Sequence, residues 1–165
     1  MILKKIAESV TKPLSFNRLS NILKSAGAVL GKQTVINYVG YMMDSYMLFT
    51  LQNYAAKLVE KETSPKYYFM DTGLLGLMLM DCSSAQLENL VAIELIRRYG
   101  RENVFYFEKN VEIDFYVPEE KLAIQVSLQV LDQIDTRERE IGEFVKLKNF
   151  IGDGTCLLIT NSDIA

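Results

Sequence analysis

The segment EIDFYVPEEKLAIQVS, residues 112–127, decides how the second half of this chain folds. Val111 to Val117 and Leu122 to Val126 are runs of β-branched and aromatic residues divided by Pro118-Glu119-Glu120, a pattern that predicts two strands joined as a hairpin. Alternation with period two puts Glu112 and Asp114 on one face of the first strand, and Ile113 and Phe115 on the other. The returning strand brings Gln125 beside Asp114.

Outward from the hairpin the same kind of reading continues. Val104 to Phe107 is a third strand-like run, set off by Glu108-Lys109-Asn110. Before it, Leu87, Leu90, Val91 and Leu95 recur at helical spacing from about Ser84 to Tyr99, with Arg97-Arg98 in the last turn, and a short apolar helix, Gly73 to Met80, precedes that. After the hairpin a helix is expected from Thr136 to about Lys148, followed by a strand from Cys156 to Thr160. The order helix, three strands, helix, strand makes the last helix a crossover, so the final strand should pair in parallel.

The first 70 residues have a different organisation. Ile2, Ile6 and Val10 line one face of a helix over residues 2–10 that ends before Pro13. Ser15 caps a second helix carrying Leu19, Ile22 and Leu23 inward until Gly27. A third begins near Gln33 or Thr34, and Val35, Tyr38, Val39, Met42 and Tyr46 are spaced to face a core. Tyr41 and Phe49 read as further core or interface aromatics. Two strand-like runs, Met47 to Tyr54 and Lys66 to Met70, flank the polar stretch AAKLVEKETSP. Three helices and a β-ribbon predict a winged helix-turn-helix.

Composition removes several chemistries. The chain has no histidine, which excludes Ser-His-Asp and Cys-His catalytic pairs, and Cys82 and Cys156 stand too far apart in sequence for a CxxC site. Any metal would be a hard cation held by oxygens, such as Mg²⁺. No apolar run is long enough to span a bilayer, and MILKKIAESV is too polar for a secretory core, so the cytoplasm is the expected compartment and no membrane is expected as a partner. The formal charge of -3 hides a split: residues 1–63 hold eight Lys/Arg against four Asp/Glu, and residues 64–165 hold ten against seventeen.

A helix carboxylate beside a strand carboxylate makes an oxygen-lined pocket in which Mg²⁺ can activate water and hold a phosphodiester. Glu88 and Glu94 lie on the helix and Asp114 on the hairpin. Helix Glu, hairpin Asp and a strand reading Gln-x-x is similar to the PD-(D/E)xK signature of restriction-endonuclease-like nucleases, with Glu88, Asp114 and Gln125 at the catalytic positions and Glu88 and Asp114 as metal ligands. The lysine of that signature is replaced by Ser127. Losing such a charge stabiliser typically costs ~10²- to 10³-fold in rate. Lys109 and Lys121, in the flanking turns, are the residues that could migrate into its role.

SFNRLSNIL, TVINYVGYMMDSYMLF, KYYFMDTGLL, LENLVAIELIRR, EIDFYV, IQVSLQ and DTREREIGEF, taken in order, resemble the C-terminal region of a prokaryotic AAA-type ATPase family, over nearly the whole chain. The resemblance implies an α/β (α+β) fold, with a winged helix-turn-helix over residues 1–70 followed by a restriction-endonuclease-like mixed-sheet domain over residues 71–165. It also implies a parent chain with an N-terminal P-loop ATPase, and a nuclease-like domain that commonly lacks its lysine. Within this chain GxxxxGK[ST] is absent and GAVLGKQT, residues 27–34, has the wrong glycine spacing, so no ATP site is expected here.

In a DNA-reading winged helix the polar residues opening the third helix, here Lys32, Gln33, Thr34 and Asn37, enter the major groove. The mild local charge and a pI near 5.1 fit a protein-docking role equally well. Three functions therefore stand open: a DNA-binding or regulatory module with an inactive nuclease-like domain, a Mg²⁺-dependent nuclease, and a protein-interaction module. Expected partners are the ATPase portion of the parent chain, double-stranded DNA and, in a homo-oligomer, further copies of the chain.

Overall fold

The structure is a computed structural model that describes residues 1–57, 63–81, 83–128, 142–148, 150 and 152–160. Helix α1, Ile2–Ala7, is shorter than its apolar pattern, because the chain leaves helical geometry in turns before Thr11, whose φ is 80°. Ile2, Ile6 and Val10 are nonetheless all buried, as their spacing requires. In α2, Phe16–Ser25, the Ser15 hydroxyl accepts the Arg18 N–H at 3.2 Å, satisfying a free donor of the first turn. Leu19 and Leu23 face inward, and Gly27 ends the helix at φ 85°.

Helix α3, Lys32–Asp44, buries Val35 and Val39. Tyr38 and Tyr46, expected inward, are instead 44% and 79% exposed, and Tyr41 is 64% exposed. Val35 and Val39, four residues apart, form the inward seam, and Tyr38 lies one step round the helix from it. Tyr46 falls in the turn after the helix at φ 56°. Phe49 is buried as expected.

Strands β1, Leu48–Asn53, and β2, Lys66–Phe69, form an antiparallel ribbon from Leu48↔Phe69 to Leu51↔Lys66. Two helices follow: α4, Thr72–Met78, capped by Asp71, and α5, Ser83–Tyr99. A single 3-10 turn, Arg101–Asn103, leads into β3, Phe105–Glu108, and then β4, Glu112–Val117, β5, Leu122–Val126, and β6, Thr155–Ile159. Residues 142–148 are helical, and the start of the crossover helix expected from Thr136 lies outside the described residues.

The strands make one mixed sheet in the order β2-β1-β3-β4-β5-β6. β1 serves two partners in succession, pairing with β2 through Leu48–Leu51 and in parallel with β3 through Gln52 and Asn53. β4 and β5 form the predicted hairpin, and β6 is parallel to β5, as a crossover demands. The larger core runs from Ile2 through Leu23, Tyr68, Ala92 and Phe115 to Ile124, and a smaller one joins Phe107, Ile113 and Tyr116 to Phe144 and Leu147.

Candidate functional site

Two local irregularities aim the side chains of the site. Opposite β3, the pairs Phe105↔Tyr116 and Phe107↔Ile113 leave β4 with one residue more than its partner between them, a bulge at Asp114-Phe115. Strict alternation across Ile113 and Phe115 is thereby broken. Ile113 enters the smaller core and Phe115 the larger one, a correction to the expectation that they share a face. Asp114 is buried and directed toward β2 and α5.

The second irregularity is an amide clamp on the sheet edge. Asn89 of α5 is fully buried: its Oδ1 accepts the Phe69 N–H at 2.7 Å, and its Nδ2 donates to the Phe69 carbonyl at 3.0 Å and to Thr72 Oγ1 at 3.3 Å. β2 ends the sheet, so its outward N–H and C=O would otherwise lack partners in a dry interior. The clamp fixes the rotation of α5 and so the direction of its neighbour, Glu88.

Glu88 Oε1 accepts the Tyr68 hydroxyl at 2.8 Å. Asp114 Oδ2 accepts the Val126 N–H at 2.9 Å, while the Asp114 N–H donates to Gln125 Oε1 at 3.2 Å. These two bonds stand in for ladder pairing at the bulge. Glu88, Asp114 and Gln125 are thus brought together. Ser127 follows on β5, its N–H bonded to the Ile159 carbonyl at 2.9 Å. Glu94 is elsewhere, half-buried and held by Arg97 and Arg98, whose guanidinium groups lower its carboxyl to about 2.

Between the two buried carboxylates stands Lys66, which the sequence reading did not include in the site. Its side chain is 0% exposed, and its Nζ lies 3.4 Å from Asp114 Oδ1 and 3.6 Å from Glu88 Oε1. On the way it passes the Tyr106 ring, with Nζ 5.4 Å from the centroid. Of the two lysines considered for the missing role, Lys109 lines the adjoining groove with its Nζ 5.8 Å from the Phe150 ring centroid, and Lys121 sits in the β4–β5 turn at φ 47°. In the sequence Lys66 merely heads the strand-like run KYYF, and only the structure shows that all four residues are buried.

Burial works against the charge on Lys66, but Glu88 and Asp114 outweigh it and hold the ammonium above the ordinary lysine range. Burial, reinforced by the charge of Asp114, pushes Glu88 up to about 7. Burial also raises Asp114 against the pull of Lys66. Tyr68 is raised well above an ordinary phenol by burial and then by the two carboxylates, so it stays a hydroxyl donor. One ammonium therefore faces two carboxyl groups, and near neutrality a proton on Glu88 takes up part of the surplus negative charge.

That donor set does not fit a bridging divalent cation. Mg²⁺ takes oxygens at about 2.0–2.1 Å, whereas both carboxylates are set at ion-pair distance from an ammonium that fills the space between them. The amide oxygen of Gln125 is already engaged. Among the described residues no three acidic or thiol side chains converge as a metal site.

Glu88 and Asp114 open onto a groove of about 630 Å³, which Gln125 and Ser127 also line. Glu108, Glu112 and Glu143 add three carboxylates to its walls, against Lys12 and Lys109. A phosphodiester placed there would meet mostly negative charge.

The residues predicted to read DNA form a separate set at the start of α3. Lys32, Gln33 and Asn37 are exposed, Thr34 is half-buried, and Gln33 Nε2 donates to Asn37 Oδ1 at 3.0 Å. Exposed Tyr38 and Tyr41 continue this surface, their ring centroids 6.4 Å apart. Among the described residues no helix is long and apolar enough to cross a membrane.

The chain is 32% identical over 137 residues to uncharacterized protein MJ1544 of Methanocaldococcus jannaschii. That match covers 81% of this chain and 31% of the archaeal protein, so the chain spans about a third of its relative's length. No solved structure matches it. Residues 1–85, just over half of the chain, match the family described as Domain of unknown function (DUF8612), and the chain belongs to that family.

Proposed function

We propose that this chain is a non-catalytic binding module: a winged helix joined to a restriction-endonuclease-like domain whose cation position is filled from within, working as the tail of a P-loop ATPase. The observation that carries this reading is the Lys66 ammonium between Glu88 and Asp114. Ser127 in place of the signature lysine and the acidic walls of the groove point the same way. The element order of α5, β3, β4, β5 and parallel β6 supports the nuclease-like frame, and three helices before the β1–β2 ribbon support the winged helix.

Duplex DNA is the partner proposed for α3, through Lys32, Gln33, Thr34 and Asn37, since the groove itself would repel it. Titration of the protein against duplex DNA over a salt series tests this. Binding in the micromolar range that weakens steeply with salt is expected. Absence of salt-sensitive binding, together with binding to the ATPase portion, would leave assembly as the role.

A second reading has one observation in its favour: Lys66 reaches the carboxylates that a nuclease lysine must approach. It makes the chain a Mg²⁺-dependent nuclease acting through Glu88, Asp114 and Gln125. Incubation of plasmid DNA with Mg²⁺ or Mn²⁺ separates the readings. Cleavage that disappears in Asp114→Ala would support the nuclease.

A further inference from the structure

We infer that Lys66 plugs a latent divalent-cation site, and that truncating its side chain turns the pair Glu88 and Asp114 into a site that binds one Mn²⁺. This rests on the reading of the domain as a nuclease frame with an internal cation.

The geometry supplies two approaches to the carboxylates. Lys66 arrives from β2, within the protein, past the ring of Tyr106. Glu88 and Asp114 also line the groove, while Lys66 does not, so water reaches the acids on the side away from the lysine. An ion entering by the groove could keep most of its water ligands and take one oxygen from each acid, a mode that small divalent cations favour. With the lysine present that position is barred twice, by the volume of the ammonium and by its charge.

Charge count leads to the same place. Two carboxyl groups share a single ammonium, and Gln125 supplies a neutral amide where a third carboxylate would suit a bare divalent ion. Removing Lys66 leaves two buried acids with no counter-ion and open water on one side. A divalent cation entering by the groove then finds both the space the ammonium vacates and two acids without a counter-charge.

Mn²⁺ titrations by calorimetry and by the electron paramagnetic resonance of free aqueous Mn²⁺ test the inference at about pH 8. Wild type is expected to bind no Mn²⁺ at this site. Lys66→Ala is expected to bind one ion per chain with a dissociation constant on the order of 0.1–1 mM, weakened at least ~10-fold in Lys66→Ala/Asp114→Asn. If Lys66→Ala is unfolded without metal, recovery of its circular dichroism by Mn²⁺, but not by NaCl of equal ionic strength, carries the same conclusion. A folded Lys66→Ala that binds no Mn²⁺, an unfolded one that Mn²⁺ does not recover, or a wild type whose Mn²⁺ binding depends on Asp114 would each overturn it.

DNA cleavage is read separately. Wild-type cleavage that survives Asp114→Asn would sink the non-catalytic reading alone. Asp114-dependent Mn²⁺ binding by wild type without cleavage would sink this inference alone.

Discussion

Lys66, Glu88 and Asp114 depend on one another because each is too buried to be charged by itself. Removing one member of such a set leaves an uncompensated charge, at a typical cost of about 3–5 kcal/mol, whereas neutralising all members at similar volume is often nearly neutral. Lys66→Met is therefore expected to lower the urea midpoint sharply, and Lys66→Met/Glu88→Gln/Asp114→Asn to recover most of the loss. A triple variant no more stable than the single one would contradict this account. Glu88 also makes stability depend on pH. Its folded carboxyl titrates near 7, above the unfolded value of 4.5, so the folded protein holds a proton that the unfolded chain gives up. The associated stabilisation is fully present below about pH 4.5 and is lost as pH rises through about 7. Urea melts from about pH 5 to 8 should show a falling midpoint in wild type, and Glu88→Gln should remove that part of the slope. An unchanged slope in Glu88→Gln would assign it to other groups.

The contact between α5 and β2 explains why the buried acids point where they do. Asn89 makes two hydrogen bonds there and a third to Thr72 of α4, and an apolar replacement would strand the Phe69 N–H and C=O in the interior. Asn89→Leu is expected to cost about 2–4 kcal/mol, where loss of the Ser15 cap in Ser15→Ala should cost about 1. Chemical denaturation of both variants checks the ranking, and near-equal losses would count against the clamp. The elements were largely readable from sequence because their apolar runs end at polar turns: Pro118-Glu119-Glu120 bounds the β4–β5 hairpin, and the expected order gave β6 its parallel partner. The bulge was not readable. Residues 113–117 are all buried on one face or the other, so an extra residue leaves the pattern of types unchanged. Glu88, Asp114 and Gln125 could be grouped because helix Glu, hairpin Asp and Gln-x-x follow the order of the PD-(D/E)xK signature they resemble, but Lys66 lies 48 residues from Asp114 and heads a strand where a solvated lysine is commonplace. The exposure of Tyr38 and Tyr46 was equally hidden, since large aromatics at helical spacing read as core.

Residues 1–70 and 71–165 read as two domains in sequence, yet they share their interior. The larger core contains Ile6, Leu23, Val39 and Tyr68 from the first part, and Ala92, Val104, Phe115 and Ile124 from the second. β1 joins them by pairing, because it leaves β2 at Leu51 and meets β3 at Gln52. The ion pairs of Lys66 and the Tyr68–Glu88 hydrogen bond cross the same boundary. Cutting there would leave Lys66 buried without a counter-ion in one piece, and Glu88 and Asp114 facing one another without a cation in the other. Each piece would also expose half of a core that is apolar on both sides, a larger loss than small domains withstand. The intact chain is therefore expected to unfold in one transition, with calorimetric and van't Hoff enthalpies equal. Separately produced fragments 1–70 and 71–165 should lack near-ultraviolet circular dichroism alone and regain it when mixed. Two resolved transitions, or a fragment 1–70 that melts cooperatively by itself, would show that residues 1–70 are an independent domain and that the Lys66 contacts are only its docking interface.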